Sequence, residues 1–266
     1  MIALTGLTEW APVPSEWRVK MKMFKLSEAP EIPPREYLIE GLIYKGEISL
    51  LYGPSGSGKS AVIEDMFTRA AAGLAVGKLQ ARELDVYWFA TENPHEHFRR
   101  VAAMDAQLAK VSQTHGQHYL TYEQLTLVGD GARNRMASLA DLLRHGDAGR
   151  PQVIVIDTLN QAMAGLDENG SAGMSEVISH LKFLLSLRPE IHIMIVHHSG
   201  KKKENGPRGH SSLFAAMDSC FFISSLKDNS QLEVTKNRGG PRGKKIKFNL
   251  TEVETPKGTT VGVKYC

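Results

Sequence analysis

Residues 53–60 read GPSGSGKS and fit the pattern G-x-x-x-x-G-K-[ST] in full. Glycines at this spacing let consecutive backbone N–H groups converge on an anion at the start of a helix. The lysine adds a point charge for the β- and γ-phosphates of a nucleotide, and the hydroxyl after it is a ligand for a divalent cation. The pattern also has the context it needs, an apolar run EISLLYG before it and an Ala-rich stretch after it. Gly53, Pro54, Ser55, Gly56, Ser57, Gly58, Lys59, Ser60 and Ala61 are therefore the residues expected to cradle ATP, with Mg²⁺ beside it.

Phosphate chemistry needs acids nearby. VIVID at 153–157 is an apolar run closed by Asp157, as expected of a strand buried on both faces that delivers a carboxylate to its end. Asp157 and Ser60 are the expected metal-side groups. Asp157 is followed by Thr158 rather than Glu, so the base that orients water is sought elsewhere. Glu92, at the end of DVYWFA in ATENP, is the candidate; a surface Glu in a turn is the competing reading. His197 and His198 close the run IHIMIV, and one of them could donate to the γ-phosphate and sense its loss. The sequence leaves open which, and a structural role suits at least one.

The positive charge is concentrated late in the chain. Residues 200–247 hold eleven Lys or Arg against four Asp or Glu, so the remaining residues are net acidic although the chain totals +3. Such asymmetry points to a polyanionic partner. Within it, SGKKKENGPRGHSS (199–212) carries Lys201, Lys202, Lys203 and Arg208 without aromatic residues, which suits phosphate backbones rather than base stacking. In VTKNRGGPRG (234–243), Lys236 and Arg238 stand two apart on an expected strand and would face the same side.

To bring these groups together, the chain must end several strands at one edge. Strands are expected at 47–53, 85–91, 153–157 and 191–198, with TLVG (126–129) as a further one. Helices are expected at 59–72, stopped by Gly73, and at 95–111, 138–145 and 174–187. This alternation implies a mostly parallel sheet with helices on both faces. After residue 219 the runs SCFFIS, QLEVTK, KKIKFNL and TTVGVKY predict antiparallel hairpins. Residues 1–36, with five of the twelve prolines, read as an N-terminal arm, and 37–266 as one α/β domain. Two cysteines are too few for a disulfide framework and fit a cytoplasmic setting. The N-terminus lacks the pattern of a signal peptide, and apolar stretches such as 191–196 are too short to span a bilayer.

Over roughly residues 36–250 these motifs, in this order, resemble the RecA-like core of hexameric replicative helicases of superfamily 4, the group of DnaB and the plasmid helicase RepA. GPSGSGKS resembles the first motif, ATENP the strand-end Glu motif, VIVIDT the Walker-B strand and IMIVHHSG the sensor strand. RGHSSLFAAMDSCFFI resembles the segment after the DNA-binding loop, and KNRGGPRG the K-x-R-x-G-P-x-G hairpin. The resemblance implies a RecA-like P-loop NTPase fold and an ATP-driven helicase or translocase. It would act on single-stranded DNA as a homo-oligomeric ring, a hexamer, in phage or plasmid replication. It implies Glu92 as catalytic base and Lys236 and Arg238 as fingers on a neighbour's ATP, with Arg208 as an alternative finger and Lys201–Lys203 on DNA. A recombination or loading ATPase of the same fold, or a KaiC-like regulatory ATPase that binds no DNA, would share the nucleotide motifs.

Overall fold

Apolar residues alternate faces along the central strands, so the sheet has to be covered twice. In the computed structural model, which describes residues 25–28, 31, 34–108, 110–112, 116–121, 123–146, 149–163, 165–200, 206–226, 229–255 and 258–266, this is what happens. Arg35–Cys266 forms one compact unit. Of the separate unit Met1–Pro34, the 3-10 turn Leu26–Glu28 is described.

The main unit begins with the short pair β1 (Tyr37–Ile39) and β2 (Ile43–Tyr44). Then follow β3 (Ile48–Gly53), α1 (Lys59–Ala71), β4 (Asp85–Ala90), α2 (Pro94–Leu108), β5 (His118–Thr121) and α3 (Ala132–Arg144). After these come β6 (Gln152–Asp157), α4 (Leu159–Ala162), α5 (Ser171–Leu187), β7 (His192–His198) and α6 (Ser212–Ala216). The chain closes with β8 (Ser219–Ser225), β9 (Ser230–Asn237), β10 (Lys245–Thr255) and β11 (Gly258–Tyr265).

The nine-stranded sheet has the order β11-β10-β9-β8-β3-β7-β6-β4-β5. From β8 to β5 every pairing is parallel; β9, β10 and β11 continue antiparallel from β8. The fold is thus a RecA-like P-loop core, mostly parallel and flanked by helices, with antiparallel hairpins at its C-terminal end. Leu51, Val86, Trp88, Val153, Val155, Met194 and Val196 pack on one face against α1 and α2. Leu50, Tyr52, Tyr87, Ile154, Ile156, Ile193 and Ile195 pack on the other against α3 to α6. Among the described residues no helix is long and apolar enough to cross a membrane.

The segment TLVG, with Leu127 and Val128 buried, is a loop and not the expected strand. Arg135 donates to the carbonyls of Thr126, Val128 and Asp130, His180 bonds that of Leu127, and Leu127 N–H bonds Ala162. Side chains therefore satisfy the backbone that a sheet partner would otherwise hold. The fifth parallel position from β8 goes to β4, and the edge to β5, whose HYLT is half exposed and shows no apolar run. Helix α3 starts six residues before the expected 138–145, behind left-handed Gly131.

Candidate nucleotide-binding site

Strand register places most of the motifs at one edge. Gly53 of β3 is level with His198 of β7, Val196 of β7 with Asp157 of β6, and Asp157 with Ala90 of β4. The glycine-rich loop, Asp157, Glu92 and both histidines consequently meet at the C-terminal ends of the parallel strands, where sheets of this kind bind ligands.

Inside the loop the glycines have different jobs. Gly56 and Gly58 are left-handed, with φ of 72° and 87°, and a Cβ at Gly56 would meet nothing within 4 Å. Gly53 is needed because a Cβ there would lie 2.6 Å from the Ile223 carbonyl of β8. Gly58 caps α1 without a side-chain hydrogen bond, so the first-turn N–H groups remain open to an anion. Lys59 is buried and folds back onto the loop, donating to the carbonyls of Gly53 at 3.2 Å and Pro54 at 2.8 Å. Burial lowers its pKa, while Asp157 and Glu92 pull the other way. The loop is thus a cradle of donors around one lysine, and the residues fit a polyphosphate.

Asp157 is buried at the floor of this edge. Burial raises its pKa to about 6, against a hydrogen bond with Ser60, and the charges of Glu64 and Glu92 add to the rise. A serine hydroxyl touching a carboxylate is the hard-oxygen pair that Mg²⁺ takes alongside phosphates and water, so Ser60 and Asp157 fit that ion. Glu92 sits just before α2, where left-handed Asn93 and then Pro94 start the helix. Thr158 Oγ1 donates to Glu92 Oε1 at 2.8 Å, and His198 Nε2 lies 3.8 Å from the same oxygen. Thr91 ties the strand ends together, its N–H and hydroxyl both donating to the Asp157 carbonyl.

The two histidines point to opposite faces. His198 lies on the α1 side, beside Glu92. His197 is fully buried on the other side, and its Nε2–H donates to the Arg208 carbonyl at 3.0 Å. Burial lowers its pKa to about 4, so it is neutral at physiological pH. Arg208 stands near this edge, and its Nε pairs with the buried carboxylate of Glu168.

Sequence reasoning missed the polar layer beneath the site. Glu64, one helical turn past Ser60, is fully buried and binds both His97 Nδ1, at 2.7 Å, and the Arg100 guanidinium. The visible signal was a carboxylate interrupting the apolar stripe of α1. Thr158 was legible only as the neighbour of Asp157, and Glu168 gave no signal at all.

Other expected groups lie elsewhere. Lys236 is level with Cys220, and Asn237 with Ser219, which in turn is level with Ser49 near the start of β3. That is about 13 Å along the strand from Gly53, at the opposite edge. Lys236 Nζ donates to the carbonyls of Phe214 and Ala215 at the end of α6, and Arg238 reaches Ala215 and Asp218 while remaining 59% exposed. Both side chains do face one side, and neither can reach its own chain's loop. Lys201, Lys202 and Lys203 lie outside the described residues. A 480 Å³ cavity lined by Tyr87, Phe89, Tyr119 and Leu139 is separated from the phosphate loop by β6 and β7.

A family model described as an AAA domain matches residues 14–204, a span that holds the loop, Glu92, Asp157 and both histidines. The chain belongs to this AAA-domain family. No curated protein matches it. Among solved structures, this AAA-domain chain is similar to the RadB recombinase at 15% identity, covering 81% of this chain and 90% of that one with a TM-score of 0.51. It is also similar to a KaiC-like protein from the hyperthermophilic archaeon Pyrococcus horikoshii OT3, at 17% identity, 84% and 93% coverage and a TM-score of 0.53. At such identities the likeness is one of fold alone, and the fold it shows for this AAA-domain chain is RecA-like.

Proposed function

We propose that the chain is an ATP-driven translocase on single-stranded DNA that works as a homo-oligomeric ring, a replicative helicase of the DnaB and RepA kind. The observation that carries this reading is where the basic segment is rooted. Ser199 N–H donates to the Gly53 carbonyl of the phosphate loop, and the returning strand is held by Arg208 N–H on the His198 carbonyl. A cationic segment so anchored can respond to the state of the nucleotide beside it.

In this reading the first-turn N–H groups of α1 and Lys59 bind the phosphates, with Lys59 leaving the Gly53 and Pro54 carbonyls to do so. Ser60 and Asp157 hold Mg²⁺, which supplies neutralisation of phosphate charge. Glu92 orients water and takes its proton, held in aim by Thr158. His198, beside Glu92, is the γ-phosphate sensor; His197 secures Arg208 instead. Arg238 completes a neighbouring copy's site, because its position at the opposite sheet edge excludes its own, and Lys236 holds the end of α6 next to it. Lys201, Lys202, Lys203 and Arg208 contact the DNA backbone. The arm 1–36 is a separate segment from the ATPase domain 37–266.

The test is ATP hydrolysis with and without single-stranded DNA across a salt series. Stimulation that fades as salt rises is the expected result, because lysine and arginine contacts to phosphates weaken with salt. A rate indifferent to DNA would replace this reading with a regulatory ATPase. Stimulation without displacement of a forked duplex would replace it with a recombination or loading ATPase.

A further inference from the structure

Glu168 belongs to none of the motifs, yet it is buried with both carboxylate oxygens sealed from solvent. It lies in the loop between α4 and α5, and three contacts connect it to the end of β7 and to the segment that follows. Its Oε1 pairs with Arg208 Nε, its Oε2 is 3.8 Å from His197 Nε2, and its backbone carbonyl accepts the His210 N–H at 2.9 Å. Gly209 passes so close that a Cβ there would lie 2.8 Å from the same carbonyl.

Arg208 is thereby held at three points. The His198 carbonyl accepts its N–H, His197 donates to its carbonyl, and its Nε forms an ion pair with Glu168 Oε1. The side chain nevertheless stays 59% exposed, so its outer edge is presented in a fixed direction. A guanidinium oriented by a buried carboxylate is a preorganised receptor for an oxyanion. The same segment leads back to the phosphate loop. Ser199 pairs with Pro207, and the Gly53 carbonyl accepts both Ser199 N–H at 3.0 Å and Lys59 Nζ at 3.2 Å. When phosphates draw Lys59 away, this shared carbonyl loses one of its two donors.

We propose that Glu168 is a positioning residue that makes the orientation of Arg208 depend on the nucleotide site. It anchors residues 206–210 from the face opposite α1, so that a change at Gly53 and Ser199 is felt at Arg208 rather than lost as local slack. Breaking the anchor uncouples the segment without touching the groups that bind or hydrolyse ATP. This inference rests on the translocase reading only for its DNA readout.

The experiment compares wild type with Glu168→Gln, which keeps the shape and removes the charge. Two readouts are taken. The first is amide hydrogen exchange of residues 206–210 with and without Mg²⁺ and a non-hydrolysable ATP analogue. The second is the ratio of ATPase rates with and without oligo-dT. Glu168→Gln should keep the basal rate and thermal midpoint, lose the nucleotide-dependent change in exchange, and lower the stimulation ratio roughly 2- to 30-fold. Glu168→Asp, charged but shorter, should fall between the two and serves in place of Glu168→Gln if that variant does not fold. Exchange in the variant that responds to nucleotide as wild type does would overturn the proposal, as would wild-type exchange that ignores nucleotide. A basal rate that falls together with the thermal midpoint would reduce Glu168 to a structural ion pair. If oligo-dT leaves the wild-type rate unchanged, the translocase reading fails, and the exchange readout still decides the role of Glu168.

Discussion

Replacing Asp157 by Asn should make the nucleotide-free protein more stable at pH 8, because the wild-type carboxylate is buried at a cost. Burial raises its pKa from 3.8 to about 6, and the charges of Glu64 and Glu92 contribute. A rise of that size corresponds to about 3 kcal/mol between the ionised and neutral forms. Below pH 4 the group is protonated in both folded and unfolded chains, and Asp and Asn should then differ little. Between about pH 4 and 6 the unfolded chain gives up its proton first, so wild-type stability falls relative to the variant. Above pH 6 the full difference persists. Urea unfolding of both proteins at pH 4 and pH 8 measures it directly, with the variant gaining up to about 3 kcal/mol at the higher pH only. Mg²⁺ with nucleotide should narrow the gap, since the cation favours ionised Asp157. A stability difference that is equal at the two pH values, or a wild type that is the more stable at pH 8, would refute the argument that this acid is strained by burial.

Glu92→Gln should bind ATP and lose about 10²- to 10⁴-fold in turnover, read by nucleotide binding alongside steady-state hydrolysis; turnover at the wild-type rate would remove Glu92 as the base. Arg238→Ala should bind ATP normally and lose about 10³- to 10⁵-fold in rate. Mixing it with Lys59→Ala, itself inactive, should restore part of the activity, and a mixture without recovery would count against action on a neighbouring copy. Glu64→Ala should cost up to about 3–5 kcal/mol in urea unfolding, because buried His97 Nδ1 would lose its partner and Arg100 would keep only Glu96, at 3.6 Å. A loss under about 1 kcal/mol would mean that water reaches the cluster.

The parts of the fold that depend on burial were legible. VIVID and IHIMIV read as strands covered on both faces, and the structure has them so, with Asp157 and the two histidines at their ends. What stayed hidden depends on satisfaction of polar groups by partners far away in sequence. TLVG has the composition of a strand, but Arg135 and His180 satisfy its carbonyls as a loop. HYLT looks unremarkable because an edge strand is half solvated, so its composition carries no burial signal. The glycine-rich loop was readable from its pattern alone. The partners that shape the site, Thr158 on Glu92 and Glu168 on Arg208, are single polar residues whose meaning exists only once β4, β6 and β7 lie side by side.

The central position of β3 also governs how the chain can be made. Both of its sheet neighbours, β7 and β8, begin about 140 residues or more after it ends. At roughly 5–20 residues per second of synthesis, the strand leading into the phosphate loop waits on the order of ten seconds on the ribosome with both edges open. Its run ISLLYG is apolar and β-prone, the kind of segment that pairs with other chains when exposed. Helix α1 follows it immediately and can cover one face early, but neither edge closes until residues 192–225 emerge. Nascent-chain association is therefore expected on the strand that leads directly into the glycine-rich loop.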